Sequence, residues 1–288
     1  MTTQPVVLFY GNPWCAATEH LYQAVRGRDK CRALYLEQEH FPRRAPFLLT
    51  VGQELSGDYV EVWGEAVAIE SVRSVCINGI AVPADRFSDL NETDTNYAQT
   101  ESWATLHALL ASWQHHTRVV NRLSHRDALI SRFAELWTLS NAGLTVPDLL
   151  VTSDPDQARA FDADHPPGVL FKSVYGQSLP QPLGPEQRER LAGLTECPIH
   201  LEAVVPGKFC RLVAVGDDLR CAVAIPDSVQ QHFRALVHEL DLHLAELHLI
   251  QADDRWTAVR LIPFVSPEGL VELPGLLEAS VALLEGGP

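Results

Sequence analysis

The sequence predicts a mixed α/β protein, α+β in its second half, and three observations lead there. Short apolar runs such as Val6-Val7-Leu8-Phe9-Tyr10 alternate with amphipathic stretches over the first third. The second half instead pairs strand-like runs across tight turns, as in Phe209 to Val215 and Leu219 to Ile225 around Gly216-Asp217-Asp218. The 288 residues, 46% of them hydrophobic, suffice for one large domain or two to three subdomains.

In chain order, the first strand breaks at Gly11-Asn12-Pro13, and Ala16 to Val25 has helical spacing through Leu21 and Val25. Ala33 to Leu36 reads as a second strand. Phe47-Leu48-Leu49, Val60 to Trp63 and Ala66 to Ile69 alternate like a meander, with Gly64-Glu65 as its second turn. Val72 to Ile77 is a further strand, and the Asp-, Asn- and Thr-rich residues 81–97 read as loop. A helix is expected from Tyr97 to His115, with Trp103, Leu106, Leu110 and Trp113 on one stripe and His115-His116 at its C-terminal dipole. Val119 to Asn121 is a short strand; Leu129 to Ser140 is an amphipathic helix closed by Gly143.

The second half starts with strand Leu149 to Val151 and a helix opened by Asp154 as cap and Pro155 in its first turn. Gly168 to Val174 and Ile199 to Val205 read as strands, with Pro180 to Pro185 linker-like between them. After the hairpin come a helix from Ser228 to His243, a strand from Thr257 to Val265 and a closing helix from Leu273 to Leu284.

Composition removes several function classes. Net charge is −15, from 22 Lys+Arg against 37 Asp+Glu, a field that repels nucleic-acid phosphate and anionic membranes. No apolar run approaches the ~20 residues that span a bilayer, and the first residues lack a basic, apolar signal pattern. A cytoplasmic protein is expected. The six cysteines are scattered without a CxxC pair, against a zinc or disulfide framework. GxSxG, GxGxxG and P-loop motifs are missing from the sequence, so serine hydrolase and Rossmann readings lack support. Cys15, in Asn12-Pro13-Trp14-Cys15 before a helix, leaves a thioredoxin-like redox role as a minor alternative without a resolving cysteine.

Several passages resemble one family. Ser71 to Val75, Gln99-Thr100-Glu101 before Trp103, Val119 to Arg122, Ala142 to Pro147, Leu150 to Pro155 and Ala158 to Phe161 are similar in wording to the ATP-grasp ligases that mature ribosomal peptides, relatives of the microviridin ligases. The likeness covers about residues 70–285. It implies an ATP-grasp fold with an N-terminal α/β domain (1–118), a central subdomain (119–178) and a C-terminal nucleotide-clamping subdomain (179–288).

The resemblance also assigns roles. Arg132 and Lys172 match the two basic positions over the ATP phosphates, Glu202 the polar position of the adenine-contacting hinge strand, and Arg211 an arginine at the phosphates or acyl-phosphate. Lys172, one of three lysines, can equally be an exposed strand lysine, and Glu202 and Arg211 can face water. Anchored on Trp256 and Pro263, the three magnesium-ligand positions fall on His248, Arg260 and Ile262. Magnesium takes hard oxygen ligands; arginine is a fixed cation, isoleucine has no donor atom and neutral histidine suits softer metals. Asp241, Asp253, Asp254 and Glu268 are the nearby carboxylates, with Asp253-Asp254 a solvated turn. Arg260 would put positive charge where the metal sat.

The expected function is therefore a degenerate ATP-grasp protein that binds a precursor peptide or a paired ligase, with the peptide implied near Arg73, Gln99, Glu101 and Trp103. The alternative is an active ATP-dependent carboxylate–amine or carboxylate–hydroxyl ligase with rearranged metal ligands. No metal is expected; ATP or ADP would be held without the usual magnesium. A dimer is compatible with this reading. His238, His243 and His248, five residues apart, cannot converge from one helix.

Overall fold

The structure, a computed structural model, describes residues 4–50, 57–78, 87–113, 117–121, 131–172, 180–191, 193 and 197–286. Expectations touching Gly79, residues 81–86, His115-His116, Arg122, Leu129 and Ser173 to Gly176 lie outside the described residues. Two compact units are present: residues 1–122 together with 264–288, and residues 123–263.

In the first unit, β1 (Val6–Gly11), β2 (Arg32–Glu37), β6 (Val72–Asn78) and β7 (Arg118–Val120) form a parallel sheet in the order β2-β1-β6-β7. Every residue of β1 is buried, as expected of an inner parallel strand. Helix α1 (Ala16–Arg26) packs Leu21 and Val25 into this core. β3 (Phe47–Leu48), β4 (Tyr59–Val62) and β5 (Glu65–Ala68) make the antiparallel meander. Its second turn is Trp63-Gly64, one residue earlier than expected, because both residues hold positive φ (56° and 80°) as a tight hairpin turn requires.

Helix α2 (Glu92–Ser112) starts inside the stretch expected to be loop. The Asn91 side chain accepts from the Asp94 N–H at 3.0 Å, and Glu92 and Asp94 sit in the positive first turn. The polar composition is cap chemistry. The buried stripe is Ser102, Leu106, Leu109, Leu110 and Trp113, and Trp103 is exposed, which corrects the expected stripe by one position.

The last helices, α7 (Pro267–Glu272) and α8 (Leu276–Gly286), pack on α1 and β6, although the sequence groups them with residues 179–263. The carbonyls of the final α8 turn explain the attachment. Leu283 O accepts from Arg118 Nη1 (2.9 Å), Leu284 O from Ser74 Oγ (2.7 Å) and Glu285 O from Arg73 Nη1 (3.1 Å). These are carbonyls a helix cannot satisfy internally.

The second unit has two antiparallel sheets. β8 (Leu149–Thr152), β9 (Val169–Lys172), β10 (Gln181–Pro182) and β11 (Ile199–Ala203) are ordered β10-β9-β11-β8. The linker-like prolines thus supply a short edge strand and open helix α5 (Pro185–Arg190). Asp154 caps α4 (Pro155–Asp164) as expected. β12 (Lys208–Val215), β13 (Asp218–Cys221), β14 (Leu244–Ala252) and β15 (Arg255–Ile262) are ordered β13-β12-β14-β15. Helices α3 (Arg132–Asn141) and α6 (Asp227–Glu239) cover one face of that sheet with Leu136, Leu139, Phe233, Leu236 and Val237.

Helix α6 stops at Glu239, short of the expected His243, and Asp241 turns the chain with φ 47°. The freed residues turn the chain into β14, an inner strand whose Leu-Ala-Glu-Leu-His-Leu run from Leu244 carries a helix-like composition. No helix among the described residues is long and apolar enough to cross a membrane.

Candidate functional site

The candidate residues of the second unit fall into two neighbouring groups. The first centres on Arg132 at the start of α3, whose N-cap Ser131 accepts from the Ala134 N–H at 3.1 Å. Arg132 is buried. Its Nε and Nη2 donate to the two Glu202 oxygens (2.8 and 2.6 Å), Nη1 donates to Glu135 (2.9 Å) and Nη2 also reaches the Val259 carbonyl. Four of its five N–H groups are so engaged. The residues expected at phosphate and at adenine therefore meet each other, in a bidentate pair.

Burial pushes the Glu202 carboxyl up, but His200 and Arg132 outweigh it and hold the group down at about 2. His200 shares the Glu202 face of β11, is fully buried, and stands 3.7 Å from the carboxylate. That is an electrostatic contact rather than a hydrogen bond, and its ring nitrogens have no hydrogen-bond partner.

The second group lies across the open face of the β12–β15 sheet. Register sets Arg211 opposite His248, and His248 opposite Arg260, so three strands contribute one row. Ile262 stands opposite Glu246 one step along. Glu246, fully buried, accepts from Arg211 Nε at 3.1 Å and contacts His248 Nε2 at 2.7 Å. Phe209 steadies both partners: Arg211 lies 4.8 Å over its ring and the His248 ring meets it edge-on at 5.0 Å.

A bulge at Val259 shapes this row. Pairing passes from Leu249↔Ala258 to His248↔Arg260, leaving Val259 as the extra residue. Ala258 and Leu261 consequently both face the core, while Arg260 is turned to the open face. Helix α3 fastens the bulge from outside. Arg132 binds the Val259 carbonyl, and Glu135 accepts the Leu261 N–H at 2.6 Å, which pairs two edge groups of β15.

Lys172 joins the groups. It sits half-buried at the end of β9, opposite His200, and its ammonium is held below its usual range by burial, then by Arg132, then by Arg260. Among the described residues neither the Lys172 ammonium nor the Arg260 guanidinium has a hydrogen bond or ion pair.

This donor set does not fit magnesium. The three expected ligand positions carry an imidazole, a guanidinium and an aliphatic chain. Beside them the Glu246 carboxylate is engaged by Arg211 and His248. Among the described residues no three acidic, His or Cys side chains are arranged to hold a metal ion. A cavity of about 620 Å³ lined by Gly216, Asp217, Arg234, His238, Asp241 and His243 shares no residue with either group.

The remaining candidates lie in the first unit. Arg73 donates to the end of α8, Trp103 is exposed and stacks edge-on with His107 at 4.7 Å, and Glu101 is exposed on the same helix as Gln99. Cys15 accepts from Asn78 Nδ2 at 2.6 Å. Glu246, Glu135 and His200 were not anticipated. Their only sequence signals are i,i+2 or i,i+3 spacings to His248, Glu202 and Arg132. Nor was the approach of the Cys210 and Cys221 thiols, 3.2 Å apart on adjoining strands.

No protein-family model matches this sequence, and no curated protein does either. Solved structures do match over nearly their whole length. Macrocyclase MdnC bound with precursor peptide MdnA, from Microcystis aeruginosa MRC, superposes with TM-score 0.82 at 16% identity, covering 98% of this chain and 100% of that one. ATP-grasp ligase PsnB, complexed with a precursor peptide and AMPPNP, gives 0.79 at 19%, covering 99% of each chain. A Chryseobacterium gregarium RiPP-associated ATP-grasp ligase in complex with ADP and a leader and core peptide gives 0.80 at 15%, covering 99% and 98%. At these identities it is architecture that is shared, and the chain has the ATP-grasp fold.

Proposed function

We propose that this chain is a degenerate member of the ATP-grasp ligases of ribosomal-peptide modification, which binds a precursor peptide without magnesium-dependent ATP turnover. The observation that carries the reading is the His248–Arg260 pair, directly opposed on neighbouring strands, with Ile262 beyond it. Acyl-phosphate chemistry needs a divalent ion bridging the β- and γ-phosphates. A guanidinium at that place repels the ion. The three solved structures above each hold a precursor or leader and core peptide, which favours a peptide as the partner here.

The test combines two measurements on the purified chain. It is mixed with short precursor peptides encoded beside its gene, and peptide binding and ADP release are followed with Mg-ATP. Micromolar peptide binding with no ADP release is expected. Steady ADP release at ~1 s⁻¹, within the usual enzymatic range, would overturn the reading in favour of a ligase with rearranged metal ligands.

A further inference from the structure

Strand β12 turns different chemistry to its two sides. Phe209 and Arg211 lie on the open face, while Cys210, Leu212 and Ala214 pack with the core on the other, alongside Leu219 and Cys221 of β13. The β12–β13 ladder ends at Leu212↔Cys221, and Cys210 is the next β12 residue on that side. The two thiols stand 3.2 Å apart, and both residues are half-buried. Of the other cysteines, Cys31 and Cys76 are buried, Cys15 accepts from Asn78 and Cys197 is exposed. Beyond Cys221 the chain leaves the sheet through the exposed residues Ala222, Val223 and Ala224. A disulfide needs its sulfurs at about 2 Å. The end of an edge strand, held by no further ladder, can supply the remaining approach of about 1 Å.

We propose that Cys210 and Cys221 form a redox-modification site, closing reversibly to a disulfide that fastens edge strand β13 to β12 behind Arg211. The oxidant is a small-molecule disulfide. One thiolate of the pair attacks a sulfur of that disulfide and expels a thiol; the second then attacks the mixed disulfide and expels the other. The protein gives up two protons and two electrons, and the oxidant ends as two thiols. Burial, then the neighbouring Cys221 thiol, pushes the Cys210 thiol up to about 12. Closure is therefore slow at neutral pH and quickens as pH rises, because the thiolate is the nucleophile. The site uses neither nucleotide nor metal and stands apart from the proposed function.

The test uses the reduced full chain carrying Cys197→Ser, which silences the exposed thiol. It is incubated with oxidised glutathione and followed by thiol counting in denaturant, intact mass and peptide mapping. Two thiols should disappear with the loss of two hydrogens and no glutathione retained. The cross-linked peptides should join Cys210 to Cys221, and dithiothreitol should reverse the change. Cys210→Ser and Cys221→Ser should each remove the cross-link, as should the Ala versions that avoid a hydroxyl beside the core. The oxidised chain should unfold at higher urea than the reduced one, because a bridge restricts the unfolded chain, and the variants should show no such shift.

Three outcomes overturn the inference. The first is a pair still reduced after a day with oxidised glutathione at pH ~8.5, where an ordinary cysteine is half ionised. The second is a lasting glutathione adduct on Cys210 or Cys221 in place of the bridge. The third is a bridge that leaves the urea midpoint unchanged. None of these readouts involves peptide binding or ADP release, so a failure here leaves the proposed function standing.

Discussion

Arg132 and Arg260 are the same side chain in the same unit, and both act on Lys172. Arg132 is enclosed by two carboxylates and a backbone carbonyl, so its charge is cancelled where it stands. Arg260 is exposed on the open face with no such partner. The first holds helix α3 to two sheets; the second contributes a charge that the fold does not use. An arginine at a ligand-binding position thus has no fixed meaning, and its neighbours decide whether it belongs to the scaffold or to the ligand.

Breaking the enclosed group should have the largest effect. Arg132→Met keeps much of the apolar volume but leaves Glu202 and Glu135 buried without their cation. We expect a loss of about 3–5 kcal/mol in urea unfolding. A loss below ~1 kcal/mol would erase the contrast between the two arginines.

The second effect is in pH dependence. Glu202 is held at about 2 when folded, against 4.5 as its ordinary value. Its folded value is depressed, so its contribution is complete above pH ~4.5 and is lost as pH falls toward ~2, on the order of 3 kcal/mol in all. Glu202→Gln should lower stability at neutral pH and flatten the acid limb of the stability curve between those values. An unchanged acid limb would show that the carboxylate titrates normally.

Smaller still is the cap. Ser131→Ala removes the hydroxyl that receives the Ala134 N–H beside Arg132, at a cost of about 1 kcal/mol by thermal or urea unfolding. Smallest is Arg260→Ala, at an exposed position, which should change stability by less than ~0.5 kcal/mol. A stability loss as large as that of Arg132→Met would place Arg260 in the scaffold too.

Local features were the legible ones. Asp154-Pro155, Gly143 and the hairpin at Gly216 announce themselves through cap and turn chemistry, because their partners lie within a few residues. The start of α2 was hidden because its cap uses the residues that also make loops. The Arg132–Glu202 pair spans 70 positions and leaves no periodic trace. Glu246 was overlooked because its place beside Arg211 depends on strand register. The attachment of α7 and α8 to the first unit depends on Arg73, Ser74 and Arg118 finding α8 carbonyls more than 160 residues later, which no local pattern encodes.

The extra residue at Val259 works as a phase setter for everything after it. In an uninterrupted ladder Arg260 would stand opposite Leu247, aimed among the aliphatic side chains, and Leu261 would stand opposite Glu246. Straightening the bulge with Val259 kept would therefore move Arg260 to the core face of the strand's end, whereas deleting Val259 would leave Arg260 opposite His248. Comparisons that slide the segment by one position would pair the wrong side chains while matching the same letters.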